Sequence, residues 1–306
     1  MNLFSTVLTN AAPSSNYRGE SARNRSVIQK ITKGRSEYAV ISPEAIRNGL
    51  REVFQYMKLP CNRSRLHDEG QLAVQYEEFP DRDKYIDDFF MGWFIAAGEK
   101  DRKAILKKLE AKKRSRKEFT FKRDSVLRMN LAVALEPYRY DSLLTQSPVN
   151  VNSPWQNANN SGLLYRDVVH TAFQYPFALN LDECRGKSEW CKALLQAVGE
   201  LCNVAGNHAR SYFEMSPASI VIRLTPRLVA GYNNYGFEVN EGRHTFPEVI
   251  ENILAGDYPG SEFYIGGKIV KDMDEKIKKV LEQNGVILKR TPQKLLETVG
   301  QAAFSS

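Results

Sequence analysis

Short apolar runs with extended character alternate along the chain with two stretches of helical periodicity. Residues 3–9 (Leu-Phe-Ser-Thr-Val-Leu-Thr) predict a first strand, and a second extended run, Tyr38-Ala-Val-Ile41, leads into a helix. Ser42 suits the N-cap of that helix, and Pro43 falls at its first position, where a missing N–H costs nothing. Ile46, Leu50, Val53, Phe54 and Met57 then recur at helical spacing and predict one buried stripe, while Arg47 and Arg51 share another face. Residues 60–125 lose this regularity. An acidic stretch (77–83), an aromatic patch (89–94) and a lysine-rich run follow one another, which predicts an insertion or subdomain.

Strand signals return at 125–135 and, after an Asn/Ser/Pro-rich loop over 148–162, at 168–181. A second amphipathic helix, with Ser188 as its N-cap, carries Cys191, Leu194, Leu195, Val198, Leu201 and Cys202, and Gly206 stands just beyond its end. The polar and aromatic segment 207–216 follows, and the β-branched run 220–222 opens the next strand. Strand, helix, strand, strand, helix, strand is the βαββαβ order of the ferredoxin-like split motif, so the predicted class is α+β with the fold of RNA-recognition modules. The tail adds an extended run near 263–265, a helix from about residue 272 ended by Gly285, a strand over 286–289 and a last helix after Pro292. There is no internal repeat.

Composition narrows the function classes. With 26% charged and 42% hydrophobic residues in 306, the chain can bury a sizeable core and is not disordered. No run approaches the roughly 20 apolar residues that span a bilayer, and residues 3–9 follow no basic segment and lead to no cleavage site. A cytoplasmic protein is expected. Four cysteines (Cys61, Cys184, Cys191, Cys202) read as small core residues.

Charge is the informative quantity. Residues 1–60 hold nine Lys/Arg against four Asp/Glu, and 101–128 hold twelve against four, so the net charge of +7 is concentrated in two blocks. Blocks of this kind suit a surface that follows a polyanion. In the first block Asn16, Tyr17, Arg18, Arg23, Arg25, Lys30, Lys33 and Arg35 lie among Ser, Gln and Gly with only Glu20 opposing them, the composition of a loop laid along phosphates and sugars. The second block, with Lys112, Lys113, Arg114, Arg116 and Lys117, reads either as a DNA contact or as a solvated helix face or loop.

Other chemistries find little support. Cys184, Cys191 and Cys202 are spaced too widely for a paired zinc site, and no Gly-rich phosphate loop stands at a strand-to-helix turn. His170 lies within a strand pattern and reads as packed or paired. His208 sits in a polar turn open to an RNA contact or a general base, with no Asp or Glu close in sequence to orient it.

Three segments carry a family resemblance in matching order. They are the basic N-terminal block followed by Tyr38-Ala-Val-Ile-Ser-Pro-Glu-Ala-Ile-Arg-Asn-Gly-Leu-Arg51, the run His170-Thr-Ala-Phe-Gln-Tyr-Pro-Phe-Ala-Leu-Asn180, and Gly206-Asn-His-Ala-Arg-Ser-Tyr-Phe-Glu-Met-Ser-Pro217. Together they resemble the repeating backbone subunit of type I CRISPR Cascade surveillance complexes, the DevR/CasC-like autoregulator family. The resemblance implies a hand-like chain: one RNA-recognition-like palm domain over 1–306, fingers inserted at about 60–125, a thumb hairpin at about 204–217 and C-terminal αβ additions over 226–306.

It further implies a non-catalytic subunit without a cofactor or metal. Many copies would stack as a helical filament along one CRISPR RNA, with target DNA and other Cascade subunits as partners. Arg47 and Arg51 then join the basic loop as RNA contacts, as do Asn207, His208, Arg210, Tyr212, Phe213 and Met215 of the thumb, whose apolar faces would insert between bases. The sheet lacks the aromatic pattern of ordinary RNA-recognition modules, so RNA is expected on loops. The alternative is a ferredoxin-like endoribonuclease maturing CRISPR RNA. Target cleavage from the first palm loop would want an acidic residue, and residues 10–36 offer only Glu20; a DNA-binding autoregulator would want a helix-turn-helix pattern, which is missing.

Overall fold

The structure, a computed structural model, describes residues 1–15, 21–22, 25–65, 74–112, 119–146, 163–202, 204 and 213–304. It divides into two compact units, Met1–Val53 with Met129–Ser306, and Phe54–Arg128.

The first unit is a mixed α+β structure built on one central sheet. The strands along its continuous path are β1 (Asn2–Leu8), β2 (Lys30–Lys33), β3 (Ser36–Ile41), β4 (Ala132–Ala134), β5 (Phe173–Asn180), β6 (Ser219–Thr225), β7 (Phe263–Gly267) and β8 (Ile287–Lys289). The continuous path across the sheet is β8-β7-β6-β1-β5-β4-β3-β2. Neighbours are antiparallel except β7 and β8, which are parallel. β1 is central because both of its edges are used: Val7 lies opposite Tyr175 on one side and Ile220 on the other. Most residues of β1, β5 and β6 are buried, polar Ser5, Thr6 and Ser219 included. Both faces of these strands are therefore covered, which is why they read as continuous runs rather than as alternation.

Among the described residues this unit holds, wholly or mostly, α1 (Pro43–Tyr56), α2 (Ser188–Gly199), α3 (Pro247–Ala255), α4 (Glu275–Gln283) and α5 (Pro292–Ala303), with a short further helix over Lys268–Asp272. The backbone N–H of Ala45 donates to Ser42 Oγ at 3.2 Å, so the cap expected of Ser42 is made. Ile46, Leu50 and Val53 are buried as the stripe requires. At α2 the cap is Lys187, with no side-chain bond, and Ser188 is already helical, which corrects the expected N-cap by one residue. Cys191, Leu194, Leu195 and Val198 are buried on that helix, beside buried Cys184. Around β6 and β7 a second apolar cluster gathers Tyr232, Phe237, Phe246 and Phe263. Buried Arg223 ties the loop after β6 to this cluster, donating from Nε to Glu262 at 2.7 Å and from Nη1 to the Ala230 carbonyl at 2.7 Å.

The second unit contains the helices Ile86–Met91 and Glu99–Ala111 and two short antiparallel strand pairs, Arg63–Arg65 with Val74–Tyr76 and Trp93–Phe94 with Lys122–Arg123. Phe89 and Phe90 are fully buried, and so are Asp87 and Asp88 beside them. Asp87 accepts the backbone N–H of Asn62 at 2.8 Å and Arg63 Nε at 3.2 Å; Asp88 accepts Asn62 Nδ2 at 2.7 Å and the Asp81 N–H at 2.9 Å. Buried carboxylates persist because these donors replace water. Burial still dominates at Asp88 and pushes its carboxyl above the ordinary range, against the hydrogen bonds from Asp81 and Asn62.

Candidate nucleic-acid interface

The basic N-terminal segment is not one loop. Its C-terminal part is the β2–β3 hairpin, closed by Gly34 at φ +64°, where Lys33 faces Ser36. A left-handed residue at a two-residue turn favours glycine. Lys33 and Arg35 are exposed at this tip. Lys30, one turn of the pleat further in, is committed within the fold: its Nζ reaches Glu37 at 2.5 Å and lies 4.6 Å from the centre of the Tyr138 ring. Upstream, Arg25–Ser26 pairs with Ser21–Ala22 and, in parallel, with Tyr165–Arg166. Asn16, Tyr17, Arg18 and Arg23 lie outside the described residues.

That parallel pairing exposes an element the periodicity did not reveal. Ser142–Gln146 and Leu163–Asp167 form an antiparallel hairpin stem, with Leu144 opposite Tyr165 and Arg25 next to Tyr165 in the adjoining strand. Leu143, Leu144, Leu163 and Tyr165 are each roughly half exposed, so the stem presents apolar side chains to solvent on both faces. The apolar runs Leu143-Leu144 and Leu163-Leu-Tyr165 on either side of the polar 148–162 stretch are the available signal, hidden by the neighbouring loop composition. The expected strand over 168–181 is also two strands. Val169–Thr171 leaves the central sheet to pair with Ala12–Ser14, which places His170 opposite Pro13. His170 is exposed between buried Val169 and Thr171, so of its two readings, packed or paired, the packed one is corrected.

The segment following α2 is anchored at both ends. Cys202 and Glu214 form an antiparallel bridge, and Met215 N–H donates to the Leu201 carbonyl at 2.9 Å. Tyr175 Oη, on β5, donates to the Met215 carbonyl at 3.0 Å. Its burial pushes the Tyr175 hydroxyl far above the ordinary range, so it remains a donor. Phe213 and Met215 are buried, at 4% and 0% exposure, and this corrects their reading as the base-inserting tip of a thumb. They are core residues at the neck. Asn207, His208, Arg210 and Tyr212 lie outside the described residues.

Helix α1 stands beside this neck because Gly49 lets it. A Cβ there would sit 3.1 Å from Leu201 Cδ1 and Val204 Cγ2 and 3.2 Å from the Cys202 carbonyl oxygen. The two arginines of the helix differ in exposure. Arg51 is buried, with Nη1 donating to Asn48 Oδ1 at 2.8 Å, so it is a packing residue and not the exposed contact expected. Arg47 keeps 20% of its side chain exposed, 3.9 Å from Glu44. In the second unit Lys107, Lys108 and Lys112 are exposed on and just after the helix Glu99–Ala111, while Lys113, Arg114, Arg116 and Lys117 lie outside the described residues.

Of the four histidines, only His170 and His244 are described. His244 is half-buried, with Nδ1 2.8 Å from the hydroxyl of fully buried Ser219. Burial lowers its tendency to protonate. Ser219 Oγ already accepts the Ile269 N–H at 2.9 Å, and its burial leaves no approach for a substrate. Among the described residues no group of three His, Cys, Asp or Glu side chains is placed to hold a metal ion.

No protein-family model matches the chain. It is homologous to the CRISPR-associated protein Cas7/Cst2/DevR of Myxococcus xanthus (strain DK1622), at 28% identity over 296 residues that cover 92% of this chain and 91% of that protein. In fold it is similar to a chain of a CRISPR RNA-guided surveillance complex in pre-nicking form, with a TM-score of 0.59 and 12% identity across 99% of this chain and 100% of that one. A second CRISPR RNA-guided surveillance complex gives a TM-score of 0.56 at 12% identity with the same coverage.

Proposed function

We propose that this chain, a Cas7/Cst2/DevR homologue, is a non-catalytic, CRISPR RNA-binding backbone subunit of a type I Cascade complex. In this reading copies of the chain, in company with other subunits, assemble along the guide and present it for pairing with target DNA. The observation that carries the reading is the match to the Cas7/Cst2/DevR relative, which runs nearly end to end in both chains.

The geometry supports a ferredoxin-like palm. The chain order β1-α1-β4-β5-α2-β6 and the sheet order β6-β1-β5-β4 are those of a split βαβ unit, extended by β2 and β3 at one edge and by β7 and β8 at the other. Because β1, β5 and β6 are covered on both faces, guide RNA is held by loops and hairpin tips. Lys33 and Arg35 suit sequence-independent contacts to phosphate, joined by the basic residues of 16–25. The fingers are the second unit, 54–128. The thumb role passes from 204–217 to the hairpin Ser142–Gln146 with Leu163–Asp167, whose exposed Leu144 and Tyr165 have the apolar character that base insertion needs. Segment 203–212 is then a contact to the RNA backbone.

Nuclease probing of purified protein mixed with CRISPR RNA tests this. Protection in footprints that repeat along the guide is expected. Discrete cleavage of the repeat would overturn the non-catalytic reading in favour of a CRISPR RNA-maturing endoribonuclease.

A further inference from the structure

Within the second unit a cleft of about 600 Å³ opens between residues 76–80, the strand Trp93–Phe94 and the helix Glu99–Ala111. Its lining is largely apolar, with Phe79, Pro80, Ile95 and Ile105, yet it is not closed off as core: Phe94 is 70% exposed at its mouth. Phe94 lies directly opposite Lys122 in the antiparallel pair, so the ring and the ammonium stem share one face. Lys108 and Lys112 line the helix side, and Lys112 Nζ lies 5.8 Å from the centre of the Phe79 ring. The carboxylates in the lining are Glu77 and Glu78. Glu77 accepts the Ser64 hydroxyl, and Glu78 accepts Lys84 Nζ at 2.8 Å and the Tyr85 hydroxyl at 3.0 Å, which hold its carboxyl below the usual range.

We propose that this cleft receives an unstacked base of a single-stranded nucleic acid, with the Phe94 ring as the stacking surface and Lys108, Lys112 and Lys122 on the adjoining phosphates. Three features favour that occupant. An exposed aromatic ring among lysines is the combination that binds single strands without regard to sequence, since every base has a π-face and every nucleotide a charge. The volume exceeds one nucleotide. Lys108 and Lys112 line the helix side and Glu77 and Glu78 the side of residues 76–80, so the two sides of the cleft differ in charge. Duplex DNA keeps its bases stacked and can use only the lysines.

The inference rests on the nucleic-acid reading above and names the class of strand the fingers would hold. A labelled oligodeoxycytidylate, the matching oligoribocytidylate and a duplex of equal length are titrated by anisotropy into the full chain, free and loaded with guide RNA. The two single strands separate a DNA source from an RNA source by which binds tighter. Phe94→Ala is expected to weaken single-strand binding about tenfold or more, the range of base–aromatic stacking, while Phe94→Tyr retains it and thermal melting of both variants matches wild type. Replacing Lys108, Lys112 and Lys122 by Ala should flatten the log–log salt slope by about 2, at roughly 0.7 per phosphate.

Wild-type affinity in Phe94→Ala, or duplex binding as tight as single-strand binding, would overturn the proposal, as would loss in Phe94→Ala of a protein partner with oligonucleotide affinity unchanged. Failure of the surveillance-complex reading is distinguishable. Absence of a guide footprint with the unmutated chain would refute that reading, and the Phe94→Ala difference on the guide-free chain still reads the cleft.

Discussion

Replacing Met215 by Ala separates a core residue from a base-inserting one. Met215 is fully buried, and its backbone is bonded to Leu201 at 2.9 Å and to Tyr175 at 3.0 Å, so its side chain has no route to solvent without opening the neck. Truncating a buried Met to Ala removes its transfer energy and leaves a cavity, at a cost of about 2–5 kcal/mol. In a cooperative unit of this size each kcal/mol lowers the melting midpoint by roughly 2–4 °C. The expected drop is therefore about 4–20 °C, measured by circular dichroism on the RNA-free protein. Phe213→Ala, at 4% exposure, should behave similarly. The two sites lie two residues apart on one neck, so the double variant need not show the sum. A Met215→Ala protein that melts like wild type but fails to assemble on guide RNA would refute the burial argument and return this side chain to the base stack.

Tyr175→Phe should lower the midpoint by the cost of leaving the buried Met215 carbonyl without its 3.0 Å donor, about 1–3 kcal/mol; an unchanged melt would show that another group satisfies it. Lys33→Ala and Arg35→Ala, at the exposed β2–β3 tip, should leave melting unchanged and flatten the salt dependence of guide binding by roughly 0.7 each in log–log slope, equally for all guide sequences; an unaltered slope would remove this hairpin from the interface. Burial raises the Asp88 carboxyl above its unfolded value, so its protonated form favours the folded state. Its contribution is fully present below the unfolded value and is lost as pH rises through the folded one. The midpoint of wild type relative to Asp88→Asn should accordingly be most favourable in acid and decline with rising pH. A difference independent of pH, or one growing toward neutrality, would contradict this.

Helix α1 and the neck after α2 show why sequence reads one feature and not another. Ser42, Pro43 and the apolar stripe act within a few residues of themselves, so the cap and the buried face of α1 follow from local rules. At the neck, Phe213 and Met215 look like an exposed aromatic tip only while their partners are unknown. Leu201 and Tyr175 are brought to them by the sheet, 14 and 40 residues away in the chain. Arg51 is likewise placed correctly on a helix and wrongly in solvent, because the helical spacing gives its face but not what covers it.

The sequence by itself determined the α+β class, the two amphipathic helices α1 and α2, the irregular character of the 60–125 region and the concentration of positive charge in two blocks. Periodicity, caps and charge are properties of neighbouring residues and survive without a partner. Only the tertiary structure decided which β-runs share a sheet, that the basic segment is partly strand, that His170 faces outward and that the hairpin built on Ser142–Gln146 and Leu163–Asp167 carries exposed apolar side chains. Those outcomes depend on register between segments far apart in the chain, and shifting a strand's register by one residue moves each of its side chains to the opposite face.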